Sequence, residues 1–287
     1  MGLHSGIPTT LTLLPSYNGK GIVFRRTDAG NIEIPASPRY VQSTNYATRL
    51  ARNGVVVETV EHILAALYAC GVDNAIIELT GPEVPSVDGS SEPFVTLIEE
   101  AGLAELPSPR TTLRIIKPLS ILEDDKSIHI YPARGFHITY TIEFNHPLLA
   151  FQKHTAHITR SQFTTEIAPA RTFGFLRDVE ALRKIGLAKG GSLANAIVIA
   201  EDRVLNGDLR FENECVRHKI LDLIGDFALA GKPIDGHVVV HKGGHHMHTA
   251  LLQLLFSRKD AYEIVGPVRP DGVFHEVFTP ASAALAT

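Results

Sequence analysis

Residues 58–70, which read ETVEHILAALYAC, predict a helix within a stretch of strands. Ile63, Leu64 and Leu67 recur at helical spacing and form an apolar stripe, and Gly71 is placed to end the helix. The sequence on either side alternates apolar and polar residues in short runs. This alternation predicts strands, and a second helix follows them; the ranges are 10–14, 21–25 and 75–79 for the strands and Glu92–Ala101 for the helix.

The same kinds of pattern start again after residue 110. The segment ELPSPR at 105–110 has two prolines and no apolar periodicity, which is typical of a linker. Beyond it the patterns predict strands over 112–117, 127–131, 136–144 and 236–241, and helices over 178–185, 214–230 and 246–257. Each half therefore combines strands with helices, and we predict an α+β fold with two packed layers, divided into domains 1–106 and 107–287.

Composition narrows the classes of function. The 287 residues carry a net charge of −4, which gives no basic field to attract nucleic acid or anionic lipid. Two cysteines are too few for a disulfide framework, and no run approaches the roughly 18 apolar residues of a spanning helix. The first residues, MGLHSGIPTT, lack the basic and apolar regions of a signal peptide. We expect a soluble cytoplasmic protein that neither binds nucleic acid nor inserts stably in a membrane.

A candidate pair of metal ligands lies in HKILD at 218–222. His218 and Asp222 are four residues apart, so on a helix their side chains lie on the same face, and Asp226 continues that face one turn later. Taken alone, such a pair is equally typical of a surface ion pair.

Two further segments carry residues suited to catalysis. Glu61 precedes His62 in the first predicted helix, so a metal held by the histidine would have a carboxylate beside it that can act as a general base. Alone, the pair also fits a solvated glutamate and a half-buried histidine. Gly243 and Gly244 allow a close approach of the backbone, and His245 after them could reach a ligand.

Together these segments offer two histidines and one aspartate and leave a fourth coordination position open. That arrangement is typical of a catalytic zinc, whereas a structural zinc has four protein ligands, commonly cysteines. Cys215 lies three residues before His218, which leaves a site containing cysteine open as an alternative, although a buried cysteine usually behaves as a small apolar residue. An HExxH motif is absent from the sequence, as are a P-loop and a nucleophile elbow.

Seven motifs follow one another along the chain, namely GLHSG at 2–6, TVEHILAAL at 59–67, VPSVDGSSEPF at 84–94, ARTFGF at 170–175, GLAKGGSLANAIV at 186–198, RHKILDLIGD at 217–226 and GGH at 243–245. With these motifs in this order, the chain resembles the UDP-3-O-acyl-N-acetylglucosamine deacetylases (LpxC) of lipid A biosynthesis nearly end to end. The resemblance implies zinc-dependent hydrolysis of the acetamide of UDP-3-O-acyl-N-acetylglucosamine to UDP-3-O-acyl-glucosamine and acetate, the committed step of that pathway.

The resemblance also implies an architecture. Members of the family have two α/β sandwich domains whose helices face each other across the active site. The second domain carries a β-α-β insert, expected here around residues 175–205, with an apolar groove for the acyl chain. The partner would be the UDP-linked acylated amino sugar, and we expect a monomer.

Roles follow residue by residue from the matching motif positions. The zinc ligands of the family match His62, His218 and Asp222, and its general base matches Glu61. The general acid matches His245, and its orienting partner matches Asp226. Two groups near the reacting carbonyl match Lys219 and Thr172. A residue lining the substrate site matches Phe173, and two residues near the diphosphate match His4 and Lys242.

The chain departs from the family's pattern in three places. The family usually has a strand before GLHSG, so we expect the first sheet to lack it. His248 stands where the family commonly has asparagine, and Cys215 replaces a residue that is usually apolar. Three alternatives stay open: a non-catalytic homologue that serves as a binding module, a zinc deacetylase for another acylated sugar or amine, and iron in place of zinc at a His2Asp site.

Overall fold

The computed structural model describes residues 1–17 and 19–266. The end of the predicted second domain, residues 267–287, lies outside the described residues. Among the helices in the described ranges, none combines the length and apolar character needed to cross a bilayer.

The first part of the described chain contains seven strands and two α-helices. In chain order they are β1 Leu11–Pro15, β2 Ile22–Arg26, β3 Ile32–Pro35, β4 Val41–Ser43, β5 Arg49–Arg52, β6 Val55–Val57, α1 Glu61–Cys70, β7 Ala75–Leu79 and α2 Glu92–Ala101.

These strands form two sheets. The larger has the order β1-β7-β2-β3, in which β2 and β7 are parallel and the other pairs antiparallel. The smaller is the antiparallel β4-β5-β6. Phe24 of β2 and Ile77 of β7 belong to the same buried cluster as Ile63, Leu64 and Leu67 of α1, which confirms the apolar stripe predicted for that helix.

The first helix begins later than its sequence pattern predicted. The backbone of Thr59 has a φ of 56°, which is left-handed and incompatible with a helix, so α1 begins at Glu61. It ends at Cys70, and Gly71 follows with a φ of 80°, the left-handed cap for which glycine is best suited.

The rest of the described chain contains nine strands and four helices. They are β8 Thr112–Ile115, β9 Leu119–Glu123, β10 Lys126–Tyr131, β11 Phe136–Ile142, β12 Gln152–His157, α3 Arg160–Gln162, β13 Phe173–Phe175, α4 Leu176–Lys184, β14 Ile197–Ile199, α5 Glu214–Ala228, β15 Ile234–His241, α6 His245–Ser257 and β16 Tyr262–Val265. A π-helical turn at Phe163–Ile167 continues α3.

The main sheet of this part has seven strands. Its central path is β12-β11-β15-β10-β9, and β8 joins β15 to β16. β11 and β15 are parallel, and β15 alternates strictly between buried and half-buried residues, with Val238 and Val240 turned to the core. Helices α5 and α6 pack on this sheet, α5 against β11 and β12, and α6 against β9 and β10.

Between β12 and α5 the chain forms a separate β-α-β unit. β13 and β14 pair in parallel, with Phe173 opposite Ile197 and Phe175 opposite Ile199, and α4 connects them. The predicted insert is therefore present, but it begins at Phe173 because that residue already pairs with β14. The chain has the predicted α+β fold.

Helices from the two parts of the chain meet where α1 packs against α5. Gly225 of α5 makes this contact possible, because a Cβ atom there would lie 2.0 Å from the carbonyl oxygen of Glu61. Glycine at position 225 thus lets the first turn of α1 lie beside the polar face of α5. Helices of the two parts of the chain therefore face each other, as predicted.

Candidate active site

A cavity of about 260 Å³ opens where α1, α5 and α6 come together. It is lined by most of the residues that the sequence singled out, namely His4, Glu61, His62, Thr172, Phe173, His218, Lys219, Asp222 and His245. It is also lined by Leu3, Thr59 and Gly243, which lie in the quoted motifs, and by Tyr46 and Phe144, which lie in none of them.

His62, His218 and Asp222 form a buried group that could hold a metal ion. Asp222 Oδ1 lies 3.7 Å from His62 Nε2 and 3.3 Å from His218 Nε2. Ligand atoms at tetrahedral angles around a zinc ion, with bonds of roughly 2.0–2.1 Å, lie about 3.3 Å from one another. His218 Nδ1 donates to the carbonyl oxygen of Ala170 at 3.0 Å, which leaves the Nε2 lone pair free to bind a cation. The residues therefore fit a divalent metal.

The protonation states of this group suit a metal ion as well. Burial lowers the pKa of His62 to about 3 and also lowers the pKa of His218, so both imidazoles are neutral at pH 7. Burial by itself would raise the pKa of Asp222, but Lys219 and the neighbouring histidines outweigh it and hold this pKa well below its usual range. Lys219 Nζ donates to Asp222 Oδ2 at 2.6 Å. Neutral imidazoles and an ionised carboxylate are the forms that bind metal.

Glu61 is the first residue of α1, and its carboxylate is buried beside this group. Oε2 accepts a hydrogen bond from the backbone N–H of Thr48 at 3.1 Å, and Oε1 lies 3.9 Å from His245 Nε2. Burial raises the pKa of Glu61 to about 8, with Asp226 and Asp222 adding to the effect and His245 opposing it. A carboxyl group with a pKa near neutrality is suited to general base catalysis.

His245 is the first residue of α6 and faces Glu61 across the cavity. Its Nδ1 donates to Asp226 Oδ2 at 2.8 Å, and its Nε2 lies 3.9 Å from Asp222 Oδ2. Burial opposes the charged imidazolium, but Asp226, Glu61 and Asp222 together raise the pKa of His245 to about 9. This histidine is therefore protonated at pH 7 and able to give up a proton.

Asp226 lies behind His245, fully buried, and accepts three hydrogen bonds. Besides His245, the Oγ1 hydroxyl of Thr48 donates to Oδ1 at 2.5 Å, and His248 Nδ1 donates to Oδ2 at 2.8 Å. Burial opposes ionisation of Asp226, but the two histidines lower its pKa to about 2. No sequence pattern marks Thr48, since a single threonine in an irregular segment carries no signal.

Thr172 and Phe173 reach the cavity through the junction between the two parts of the chain. The backbone N–H of Thr172 donates to the carbonyl oxygen of Gly89 at 2.8 Å. Gly89 has a φ of 88°, and a Cβ atom there would lie 2.2 Å from the carbonyl oxygen of Asn195. Glycine at this position thus lets the segment after α3 reach the rim of the cavity.

The two residues predicted near the diphosphate differ in their surroundings. The backbone N–H of His4 donates to Glu83 Oε1 at 2.8 Å, and its buried Nδ1 has no hydrogen-bond partner among the described residues. Lys242 precedes Gly243, which lines the cavity, but its ammonium pairs with the carboxylate of Asp125. The structure therefore brings His4 into the cavity and leaves Lys242 beside it.

Comparison with known proteins places the chain in a family. The family model described as UDP-3-O-acyl N-acetylglycosamine deacetylase, LpxC, matches residues 1–257. The chain belongs to the LpxC family. A UDP-3-O-acyl-N-acetylglucosamine deacetylase of Myxococcus xanthus (strain DK1622) is 51% identical over 267 residues, which are 92% of this chain and 85% of the relative. One of Acidithiobacillus ferrooxidans (strain ATCC 53993 / BNL-5-31) is 46% identical over 269 residues, 92% of this chain and 88% of that protein.

Membership of the LpxC family agrees with the chemistry of the cavity. The LpxC proteins are metalloenzymes, and this chain has a buried His2Asp group that could hold a metal ion. The match covers both parts of the chain that contribute to the cavity. The family predicted from seven motifs is thereby confirmed.

Proposed function

We propose that this chain hydrolyses the acetamide of UDP-3-O-acyl-N-acetylglucosamine, giving UDP-3-O-acyl-glucosamine and acetate for lipid A biosynthesis. The observation that carries the proposal is the convergence of three kinds of group on one cavity: a His2Asp group, a carboxyl with a pKa near neutrality, and a protonated histidine. A binding module that only held a metal or a sugar would need neither Glu61 nor His245 in these states.

The metal in this proposal is Zn²⁺, held by His62, His218 and Asp222. When bound, the cation polarises the acetyl carbonyl and lowers the pKa of water. Zinc is supported by the donor set, because three protein ligands with one position left open are typical of catalytic zinc. Lys219 holds the second oxygen of Asp222 and so leaves Oδ1 for the cation.

The remaining steps fall to side chains around the cavity. Glu61 removes a proton from the attacking water. Negative charge then develops on the acetyl oxygen, where the hydroxyl of Thr172 and the ammonium of Lys219 can stabilise it. His245, held by Asp226, donates a proton to the sugar nitrogen, and the bond from this nitrogen to the acetyl carbon breaks. The products are acetate and the free amine.

The β13–α4–β14 unit is the proposed site for the acyl chain. Large apolar side chains lie exposed along it, with Leu176 48%, Ile185 65% and Leu193 52% accessible to solvent. Apolar side chains exposed along such a unit are available to contact an apolar ligand. Phe173 joins this unit to the cavity, and His4 and Lys242 are proposed to contact the diphosphate.

The active form is proposed to be a monomer in the cytoplasm. Every group required by the reaction comes from a single chain, which supports a monomer. Light scattering on the active protein tests this proposal: a mass near 31.2 kDa is expected, and a stable dimer would contradict it.

Two matched variants test the catalytic proposal. Glu61→Gln keeps the size of the side chain and all metal ligands, so zinc affinity should stay unchanged while kcat falls by about 10²-fold or more. His218→Ala removes a ligand, so zinc binding itself should be lost. Acetate release and competition with a chelating dye measure the two effects. Wild-type kcat in Glu61→Gln would refute the assigned base.

A further inference from the structure

Two buried residues outside the cavity continue the hydrogen-bond network behind His245. Tyr140 of β11 and His248 of α6 are both 0% exposed, and neither is among the cavity-lining residues in the described part of the chain. His248 Nδ1 lies 2.8 Å from Asp226 Oδ2, the oxygen that His245 also reaches. His248 Nε2 lies 3.0 Å from the hydroxyl of Tyr140. The network thus runs from the sheet to the proposed general acid.

The direction of each hydrogen bond in this network follows from the donors available. The carboxylate of Asp226 can only accept, so the proton of His248 must be on Nδ1. Nε2 of a neutral His248 then accepts from the hydroxyl of Tyr140. Burial lowers the pKa of His248 and raises that of Tyr140 well above its usual value, which agrees with a neutral imidazole and a protonated hydroxyl. Asp226 therefore selects the tautomer of His248, and the hydroxyl of Tyr140 complements it and holds the ring in place.

This network fixes the orientation of the Asp226 carboxylate. Thr48 donates to one oxygen, and His245 and His248 donate to the other. His245 and His248 are three residues apart on α6, so both rings lie on the face of the helix that meets the carboxylate. Without the donor from His248, Asp226 would be held on the Oδ2 side by His245 alone, and the carboxylate and imidazole could turn together.

We propose that His248 and Tyr140 are positioning residues for deacetylation: they fix Asp226, which in turn directs His245 Nε2 toward the departing amine. This inference rests on the proposed function, in which His245 is the general acid. Both residues act through Asp226 and touch no reacting atom. Their effect should therefore fall on kcat and leave substrate binding nearly unchanged.

Two substitutions of His248 separate hydrogen bonding from packing. His248→Leu keeps an apolar side chain of similar size but removes the donor, and kcat should fall about 10–100-fold with KM within about twofold. His248→Asn places an amide nitrogen near the position of Nδ1, so it can still donate to Asp226. Its kcat should stay within about threefold of the wild-type value.

Tyr140→Phe tests the outer step of the network. In the wild-type background, loss of the hydroxyl should lower kcat about 3–10-fold, because the ring of His248 is then held by Asp226 alone. In the His248→Asn background the same substitution should change kcat by less than about twofold, since the link that it removes is already absent. If Tyr140 and His248 contributed only separate packing, Tyr140→Phe would lower kcat equally in both backgrounds.

The tautomer of His248 can be measured without activity. Nitrogen-15 NMR should show His248 protonated on Nδ1 and unprotonated on Nε2, and Tyr140→Phe should keep this tautomer but shift the Nε2 resonance, because that nitrogen loses its hydrogen-bond donor. If His248→Leu fails to fold, this spectrum and the Tyr140→Phe cycle still decide the question. A proton on Nε2 in the wild-type protein would overturn the proposal.

His245→Ala separates this inference from the proposed function. A large loss of kcat in His245→Ala beside wild-type kcat in His248→Leu would refute the positioning role and leave the general acid in place. An equal loss of kcat in His248→Asn and His248→Leu would also refute the positioning role. Wild-type kcat in His245→Ala would refute the general acid, and the positioning role with it.

Discussion

Glu61 and His245 face each other with 3.9 Å between Oε1 and Nε2, and both have raised pKa values, about 8 and about 9. Burial raises the first, whereas three carboxylates overcome burial to raise the second. Each group stabilises the charged form of the other. The pair is therefore suited to take up a proton on one side of the substrate and release one on the other.

The pH dependence of the reaction follows from these two pKa values. In the proposed mechanism Glu61 acts as a carboxylate, so the rate should rise as the pH increases through its pKa. A cation bound beside it would stabilise the carboxylate and move this limb below pH 8. As the proposed general acid, His245 acts as an imidazolium, so the rate should fall as the pH rises through about 9. We expect a bell-shaped profile of kcat/KM for acetate release. An unchanged alkaline limb in His245→Ala would contradict the assignment.

Thr48 links the two sides of this pair. Its backbone N–H donates to Glu61 and its hydroxyl to Asp226. Thr48→Val keeps the shape but leaves a buried carboxylate oxygen without its donor, so the free energy of unfolding should fall by about 1–3 kcal/mol. Thr48→Ser keeps the hydroxyl and is the control, expected to lose less. Equal stability of the valine variant and the wild-type protein, measured in urea, would show that the bond contributes nothing.

At this scale the sequence predicted the residues that belong to motifs and missed those that act by contact alone. His62, His218 and Asp222 were predicted as a group, and the structure brings them together. The hydroxyl of Thr48 meets Asp226 across 178 positions of sequence, and no local pattern marks either end of such a contact. Tyr140 was missed for the same reason, because a tyrosine in a strand resembles any other core residue.

Among the elements, the helix pair α1 and α5 determines the geometry of the site. Gly225→Ala should weaken this pair. Alanine favours a helix over glycine by about 1 kcal/mol, but the added Cβ would lie 2.0 Å from the backbone oxygen of Glu61, so the helices must move apart. We expect a net loss of about 1–3 kcal/mol in the free energy of unfolding together with a lower kcat.

Gly174→Ala is the matched control for this substitution, because no heavy atom lies within 4 Å of its added Cβ. It should change the free energy of unfolding by less than about 0.5 kcal/mol. Thermal unfolding compares the two variants, and acetate release compares Gly225→Ala with the wild-type protein. If Gly225→Ala were as stable as Gly174→Ala and as active as the wild-type protein, the close approach of α1 and α5 would be wrong.

Long elements with regular apolar spacing were predicted well, and short ones were missed. Helices α1, α2, α5 and α6 and strands β7, β10, β11 and β15 lie close to their predicted ranges. Strands β4, β6, β13 and β14 have three residues each, too few for a period to emerge. β12 was missed because its sequence, QKHTAH, is polar along most of its length.

In the whole molecule, strand pairing separates the chain into two parts. Within the described ranges, every ladder joins strands that lie either before residue 80 or after residue 111. We propose on this basis the division into domains 1–106 and 107–287. The cavity takes Glu61 and His62 from the first and the other proposed metal ligands from the second, so it exists only when the two are joined.

Limited proteolysis tests this division. Residues 102–111 contain no helix or strand and are mostly exposed, so a protease of broad specificity should cut there first. The two fragments should stay associated in gel filtration, because the buried contact of α1 with α5 holds them together. Early cuts spread through the sheets would contradict the proposed boundary.

We propose that one metal held by His62, His218 and Asp222 supports deacetylation with Glu61 as the base. The most direct test is acetate release from UDP-3-O-acyl-N-acetylglucosamine by metal-stripped protein as Zn²⁺ is added, with Glu61→Gln alongside. Activity should be absent at first and reach its maximum at about one equivalent of zinc, whereas Glu61→Gln should bind the same zinc and release almost no acetate. Zinc binding by the wild-type protein with no acetate released, or full activity in Glu61→Gln, would contradict this mechanism.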